Sequence, residues 1–200
     1  FSKEFGFRVA GLDYSPAGCG LAREVLKSAG VEGDIICADL FTPPERLEGG
    51  FDAVVSFGVV EHFDDTAACV KAMAAFIKPG GVLVTSVPNL TGWIGVLQKL
   101  VNRPVYDIHR VILPEGLREA HEAAGLEVLE CGYFVSTDFG VNNLTGIRTG
   151  TPSWLLKRIL LSLLARVSRT VWLLEETIGE LPAGRPFSPY IFCAARRRPG

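Results

Sequence analysis

The chain is poor in the residues that most often carry chemistry on their own. Its 200 residues include three histidines, one methionine and three tryptophans. The five cysteines (Cys19, Cys37, Cys69, Cys131, Cys193) are scattered, odd in number and never spaced as CxxC. That excludes a disulfide framework and a cysteine-based zinc site, and it reads as buried thiols in a reducing, cytoplasmic setting. Neither sign of charge is in excess: the net charge is -2, and the only basic cluster, Arg196 to Arg198, is terminal. A nucleic-acid partner is therefore not expected. No apolar run of membrane-spanning length is free of charges, since Lys157, Arg158, Arg166 and Arg169 interrupt the longest candidate. No signal-peptide pattern is present, and the chain opens on Phe1 rather than Met, so a longer natural start is expected.

What is present is a repeated strand-turn-helix design. The apolar segment Arg8 to Asp13 ends on an acid, and Ser15-Pro16 starts a helix, with serine as N-cap and proline at the first helical position. That helix carries Leu21, Ala22, Val25 and Leu26 and ends near Gly30. The segment Asp34 to Asp39 again closes on an acid before a loop containing Pro43-Pro44. A carboxylate at such a strand end offers paired acceptors to a vicinal diol, as on the ribose of a nucleotide. Asp13 also suits the plainer role of a turn-forming residue before a helix.

The stretch Phe51 to Asp65, FDAVVSFGVVEHFDD, organises the rest. Its near-continuous apolar start predicts a central parallel strand covered on both faces through Val54, Val55 and Phe57. Ligands in open α/β sheets bind at the carboxyl ends of such strands, which puts Phe57, Gly58, Glu61 and His62 at a crevice. Asp64 or Asp65 would cap the next helix, Asp65 to Ile77, which stops at Lys78-Pro79-Gly80-Gly81 before a strand over Val82 to Val87. Leu90 to Asn102 predicts an apolar helix able to roof a pocket or to pack as ordinary core. Pro114 to Ala124 and Leu126 to Tyr133 read as helix and strand. His121 lies among charged residues and predicts a surface position, whereas His109, in a loop near the crevice, is the better chemical candidate. Ser153 to Glu176 is a long apolar helix with a stripe formed by Arg158, Ser162, Arg166 and Arg169. It suits an amphipathic cap packed on the domain or a helix lying on a membrane surface. Ser188 to Arg196 predicts a closing strand.

The order GLDYS, CADLF, FDAVVSFGVVEHFDD, IKPGGVLVTSVPN and HRVILPEGLREAHEAAGLEVLE resembles the class I S-adenosylmethionine-dependent methyltransferases, within the small-molecule branch that includes the ubiquinone-biosynthesis O-methyltransferases. The resemblance covers about Phe1 to Tyr133 together with the last strand. It implies a Rossmann-like three-layer α/β sandwich over 1–200: a cofactor half (1–89), an acceptor half (90–133), a helical cap (140–182) and a last strand (188–196). In this fold the last strand inserts antiparallel between the two before it in an otherwise parallel sheet. The resemblance also implies that Asp13 holds the cofactor ribose with Tyr14 beside the adenine, that Asp39 and Leu40 recognise the adenine edge, and that Phe57 touches the cofactor. His62 belongs to the recurrent Glu-His pair, and His109 faces the acceptor.

One departure stands out: the family's first strand and its glycine-rich E-x-G-x-G loop are missing, and Phe1 to Gly6 resembles only the tail of the following helix. That strand would lie between those ending at Asp13 and Phe57. Four or five buried aliphatic side chains are worth roughly 1.5–3 kcal/mol each, comparable with a domain's net stability of about 5–15 kcal/mol. Residues 1–200 alone are thus expected to be unstable and to bind cofactor poorly. The implied reaction is methyl transfer from S-adenosylmethionine, with His109 or His62 as base and no metal; the apolar segments around Trp93 and Trp154 point to a small hydrophobic acceptor, a lipid or quinone among the options, and the arginine stripe to peripheral membrane contact through 153–176. An NAD(P)-dependent oxidoreductase and a catalytically inactive methyltransferase-like binding module are the alternatives.

Overall fold

A computed structural model describes residues 1–199. A short helix α1 (Ser2–Phe5) leads to β1 (Val9–Asp13), α2 (Pro16–Ala29) and β2 (Gly33–Cys37). Helix α2 starts as its sequence requires: Ser15 Oγ accepts from Gly18 N at 3.2 Å, Pro16 fills the first turn, and Gly30 ends the helix at φ 62°. The chain continues through β3 (Phe51–Phe57), a 3-10 turn over Val60–His62, α3 (Thr66–Ala74) and β4 (Ile77–Pro88). Asp65 is the α3 cap, its carboxylate accepting from Ala68 N at 2.8 Å. Then come α4 (Trp93–Val101), α5 (Arg103–Asp107), α6 (Pro114–Ala123), β5 (Leu126–Phe134), α7 (Pro152–Ile178) and β6 (Tyr190–Arg197).

The strands form a parallel pair, β1-β2, and a four-stranded sheet ordered β3-β4-β6-β5. β3 and β4 are parallel, and β6 runs antiparallel between β4 and β5. The mixed α/β architecture with one antiparallel insertion is the Rossmann-like arrangement read from the sequence. β4 begins five residues earlier than expected because Ile77 pairs with Phe51 before the register shifts, so the Lys78 to Gly81 turn becomes a bulge within the strand. Gly80 adopts φ 81°, and a Cβ on Gly81 would strike Ile77 and the Asp52 carbonyl, which explains both glycines.

The main core lies where α3 and α6 meet the four-stranded sheet: Val60, Val70, Met73, Ile77, Leu83, Leu117 and Ile191 are buried together. Among the described residues, β3 has no strand partner opposite β4, and its free edge faces a cleft shared with β1. Within the described residues β3 is uncovered on the side where the resemblance places a further strand: Val55 is 40% exposed and Phe57 67% exposed, and in β3 only Ser56 is fully buried. Two further expectations are corrected. His121 is fully buried, with Nε2 3.1 Å from Thr85 Oγ1 and Nδ1 donating to Leu117 O at 2.8 Å, because its helix turns that face onto β4. The uniformly buried set of cysteines also fails, as Cys37 is exposed and Cys131 half-buried.

Candidate functional site

The cleft between β1 and β3, about 700 Å³, runs along both strands, from Ala10 to Asp13 and from Phe51 to Phe57, where the resemblance places a further strand, and continues to the loops after β1, β2 and β3. Asp13, Tyr14, Asp39, Leu40, Phe57 and His62 all line it. Its remaining wall is largely apolar, with Val54, Val55, Phe63, Met73 and Phe76.

Each acid is held by its own backbone. Asp13 Oδ1 accepts from Ser15 N at 2.8 Å, and Asp39 Oδ1 accepts from Phe41 N at 2.8 Å. These are Asx turns, in which a short carboxylate bonds the amide two residues on. One oxygen fixes the side chain while the other keeps its acceptor capacity. The Asx turn at Asp13 thus serves both readings of that residue, as turn former and as ligand acid. Tyr14, 80% exposed, and Phe57, 67% exposed, offer uncovered aromatic rings at the same cleft.

His109 is absent from the cleft wall but packs against His62, ring centroid to centroid 4.6 Å. The contact arises because Arg110 N donates to the Glu61 carbonyl at 2.8 Å, pinning the loop that carries His109 to the end of β3. Arg110 also donates through its guanidinium to the Asp64 carbonyl. His62 Nδ1 lies 3.3 Å from Ile108 O and His109 Nδ1 lies 2.6 Å from Val105 O. A carbonyl only accepts, so each Nδ1 carries a hydrogen and donates it. Burial, with the neighbouring His62 adding to it, pushes the His109 pKa below the ordinary histidine value and keeps the ring neutral.

Glu61 was legible as a crevice residue, but its environment was not. It is 1% exposed, its Oε2 has no hydrogen-bond partner, and desolvation raises its pKa. Its carboxylate and the His62 and His109 rings bring their ligand atoms within 4.8 Å of one another, the spacing of three ligands around one divalent cation. The Glu-His pair itself was the signal; that His109 completes it depended on loop contacts 46 to 49 residues away in sequence. Helix α4 contributes nothing to the cleft wall. It is instead tied down through buried Gln98 and Asn102, which bond to the 142–145 segment. The pocket-roof option for Leu90 to Asn102 therefore gives way to the packed-helix option.

Comparison with known proteins places this geometry in context. Residues 1–85 match a family model described as a methyltransferase domain. The ubiquinone biosynthesis O-methyltransferase of Methylobacterium sp. (strain 4-46) is 30% identical over 146 residues, covering 62% of this chain and 53% of the relative. That of Aromatoleum aromaticum is 32% identical over 133 residues, covering 62% and 57%. The chain thus spans about half the length of the curated relatives it matches. Among solved structures, geranyl diphosphate C-methyltransferase from Streptomyces coelicolor A3(2) superposes with a TM-score of 0.58 at 15% identity, covering 98% of this chain and 66% of that one. At that identity the likeness concerns the fold. The family resemblance read from the motifs is thus recovered by family model, by curated relatives and by fold.

Proposed function

We propose that the protein catalyses S-adenosylmethionine-dependent methyl transfer to a small hydrophobic acceptor, with an oxygen as the atom methylated. The single observation that carries this reading is the convergence of Asp13, Asp39 and Phe57 on one cleft with the His62-His109 pair beside it. The residues present fit an adenosine-bearing group: two backbone-anchored carboxylates with free acceptor oxygens and two uncovered aromatic rings. S-adenosylmethionine, when bound, supplies a methyl group on a sulfonium that is already strongly electrophilic.

What remains for the chain is binding, orientation and proton removal. Asp13 takes the ribose hydroxyls, Asp39 with Leu40 the adenine edge, and Tyr14 and Phe57 flank the rings. His109 or His62 takes the proton from the acceptor hydroxyl, a role suited to an imidazole near neutral pH. The name O-methyltransferase carried by the curated relatives supports oxygen.

Calorimetric titration with S-adenosylhomocysteine tests the reading. A hydrogen bond to a charged group is worth about 1.5–3 kcal/mol, so Asp13→Asn and Asp39→Asn should each weaken binding roughly 10- to 100-fold. Unchanged affinity in both variants, or displacement by NADH at equal concentration, would overturn it.

A further inference from the structure

The cleft leaves the longest element of the fold unexplained. Helix α7 spans 27 residues, about 40 Å at 1.5 Å per residue, yet Ser168 is its only fully buried residue. The helix leans on the 137–141 segment through a narrow face. Ser168 Oγ accepts from Phe139 N at 2.9 Å, and Trp172 Nε1 donates to Thr137 O at 2.9 Å. Leu161, Leu164 and Val171 share that half-buried side.

The rest of its apolar surface points away from the domain. Leu156 (69% exposed), Ile159, Leu160, Leu163 (51% exposed), Val167, Leu174 and Ile178 follow the spacing of a single helical stripe, all exposed. Along one flank of that stripe run Arg158, Arg166 and Arg169, also exposed. From Pro152 to Leu174 there are four cations, Lys157 included, and no acid; the first carboxylate is Glu175. An outward apolar ridge bordered by arginine alone does not match an ordinary cap, whose ridge would turn inward.

We infer that α7 is a membrane-surface helix whose ridge of Leu156, Leu163 and Val167 sinks into the interfacial layer of an anionic bilayer while Arg158, Arg166 and Arg169 engage lipid phosphates. Charge selects this occupant. A second copy docking face to face would bring the arginine rows together, whereas an anionic lipid surface supplies the missing negative charge. Among the described residues no helix is long and apolar enough to cross a membrane, so the contact is peripheral. The inference rests on the α7 surface alone and stands whether or not the cleft transfers methyl groups.

Vesicle flotation tests it, using phosphatidylcholine alone and phosphatidylcholine with 30% phosphatidylglycerol as probes. Recovery should be at least about tenfold higher on the anionic vesicles and should fall in 0.5 M salt. Each arginine near the surface contributes roughly fivefold, so Arg158→Gln, Arg166→Gln and Arg169→Gln combined should lower partitioning by about tenfold or more. Leu156→Ser with Leu163→Ser should do the same at unchanged helix content, which circular dichroism checks. Equal recovery of wild type and both variants, or equal recovery on the two vesicle types, overturns the assignment. A concentration-dependent dimer in light scattering that the leucine variant abolishes would also overturn it, assigning the ridge to self-association.

Discussion

Replacing Glu61 with glutamine should make the protein more stable at alkaline pH. The carboxylate is 1% exposed with Oε2 unpartnered, and burial raises its pKa. For an acid whose folded pKa lies above its unfolded value, the native state binds more protons than the unfolded state between those two values. Its contribution is therefore intact below the ordinary value of 4.5 and is lost as pH rises through the folded pKa. An unpaired buried polar atom costs about 1–3 kcal/mol and more when charged. The Glu61→Gln amide retains the polar cost and removes the charge, for a gain of about 1–2 kcal/mol at pH 8. For a chain of this size that is roughly 2–8 °C in Tm. Thermal melts of wild type and Glu61→Gln at pH 4, 6 and 8 should show a gap that opens with pH and is small at pH 4. A variant less stable at pH 8, or a gap independent of pH, would refute the reasoning.

Other expectations follow from the same geometry. His62→Ala and His109→Ala separately should each lower kcat by about tenfold or more if that ring takes the proton. The residue whose loss leaves kcat intact and raises KM would be a positioning residue. Because burial holds the His109 pKa down, the acid limb of the rate profile should sit below about 6.5 if His109 is the base and move when it is replaced. His121→Ala empties a buried site and strands Thr85 and the Leu117 carbonyl, which should cost about 3 kcal/mol or more in urea unfolding. Burial also lowers the His121 pKa, so its contribution is present above about 6.5 and lost as pH falls through the folded value. Wild type should therefore lose stability between pH 7.5 and 5 more steeply than His121→Ala.

Much of the local structure was legible because it is set by neighbours in sequence. Ser15-Pro16 and Gly30 bound α2 within a residue of expectation, and Asp65 caps α3, because capping needs only a side-chain acceptor and the amide three residues on. The acids at positions 13 and 39 were visible for a similar reason: each closes an apolar strand and folds back on the amide two residues later. The alternation of strands and helices was enough for the α/β class, whereas the antiparallel placement of β6 that its topology shows came from the family resemblance.

Burial and facing were decided only by tertiary structure, because they depend on which distant surfaces meet. His121 sits among charged neighbours yet is sealed against Thr85, since α6 turns one side onto the sheet whatever its flanking residues are. Phe57 could be placed at a strand end by its sequence, but its 67% exposure depends on β3 having no neighbour on its β1 side among the described residues. The apolar side of α7 obeys helical periodicity perfectly well, but periodicity says only that a face exists. Whether it turns toward the domain or toward its surroundings was settled by where Ser168 and Trp172 found their backbone partners.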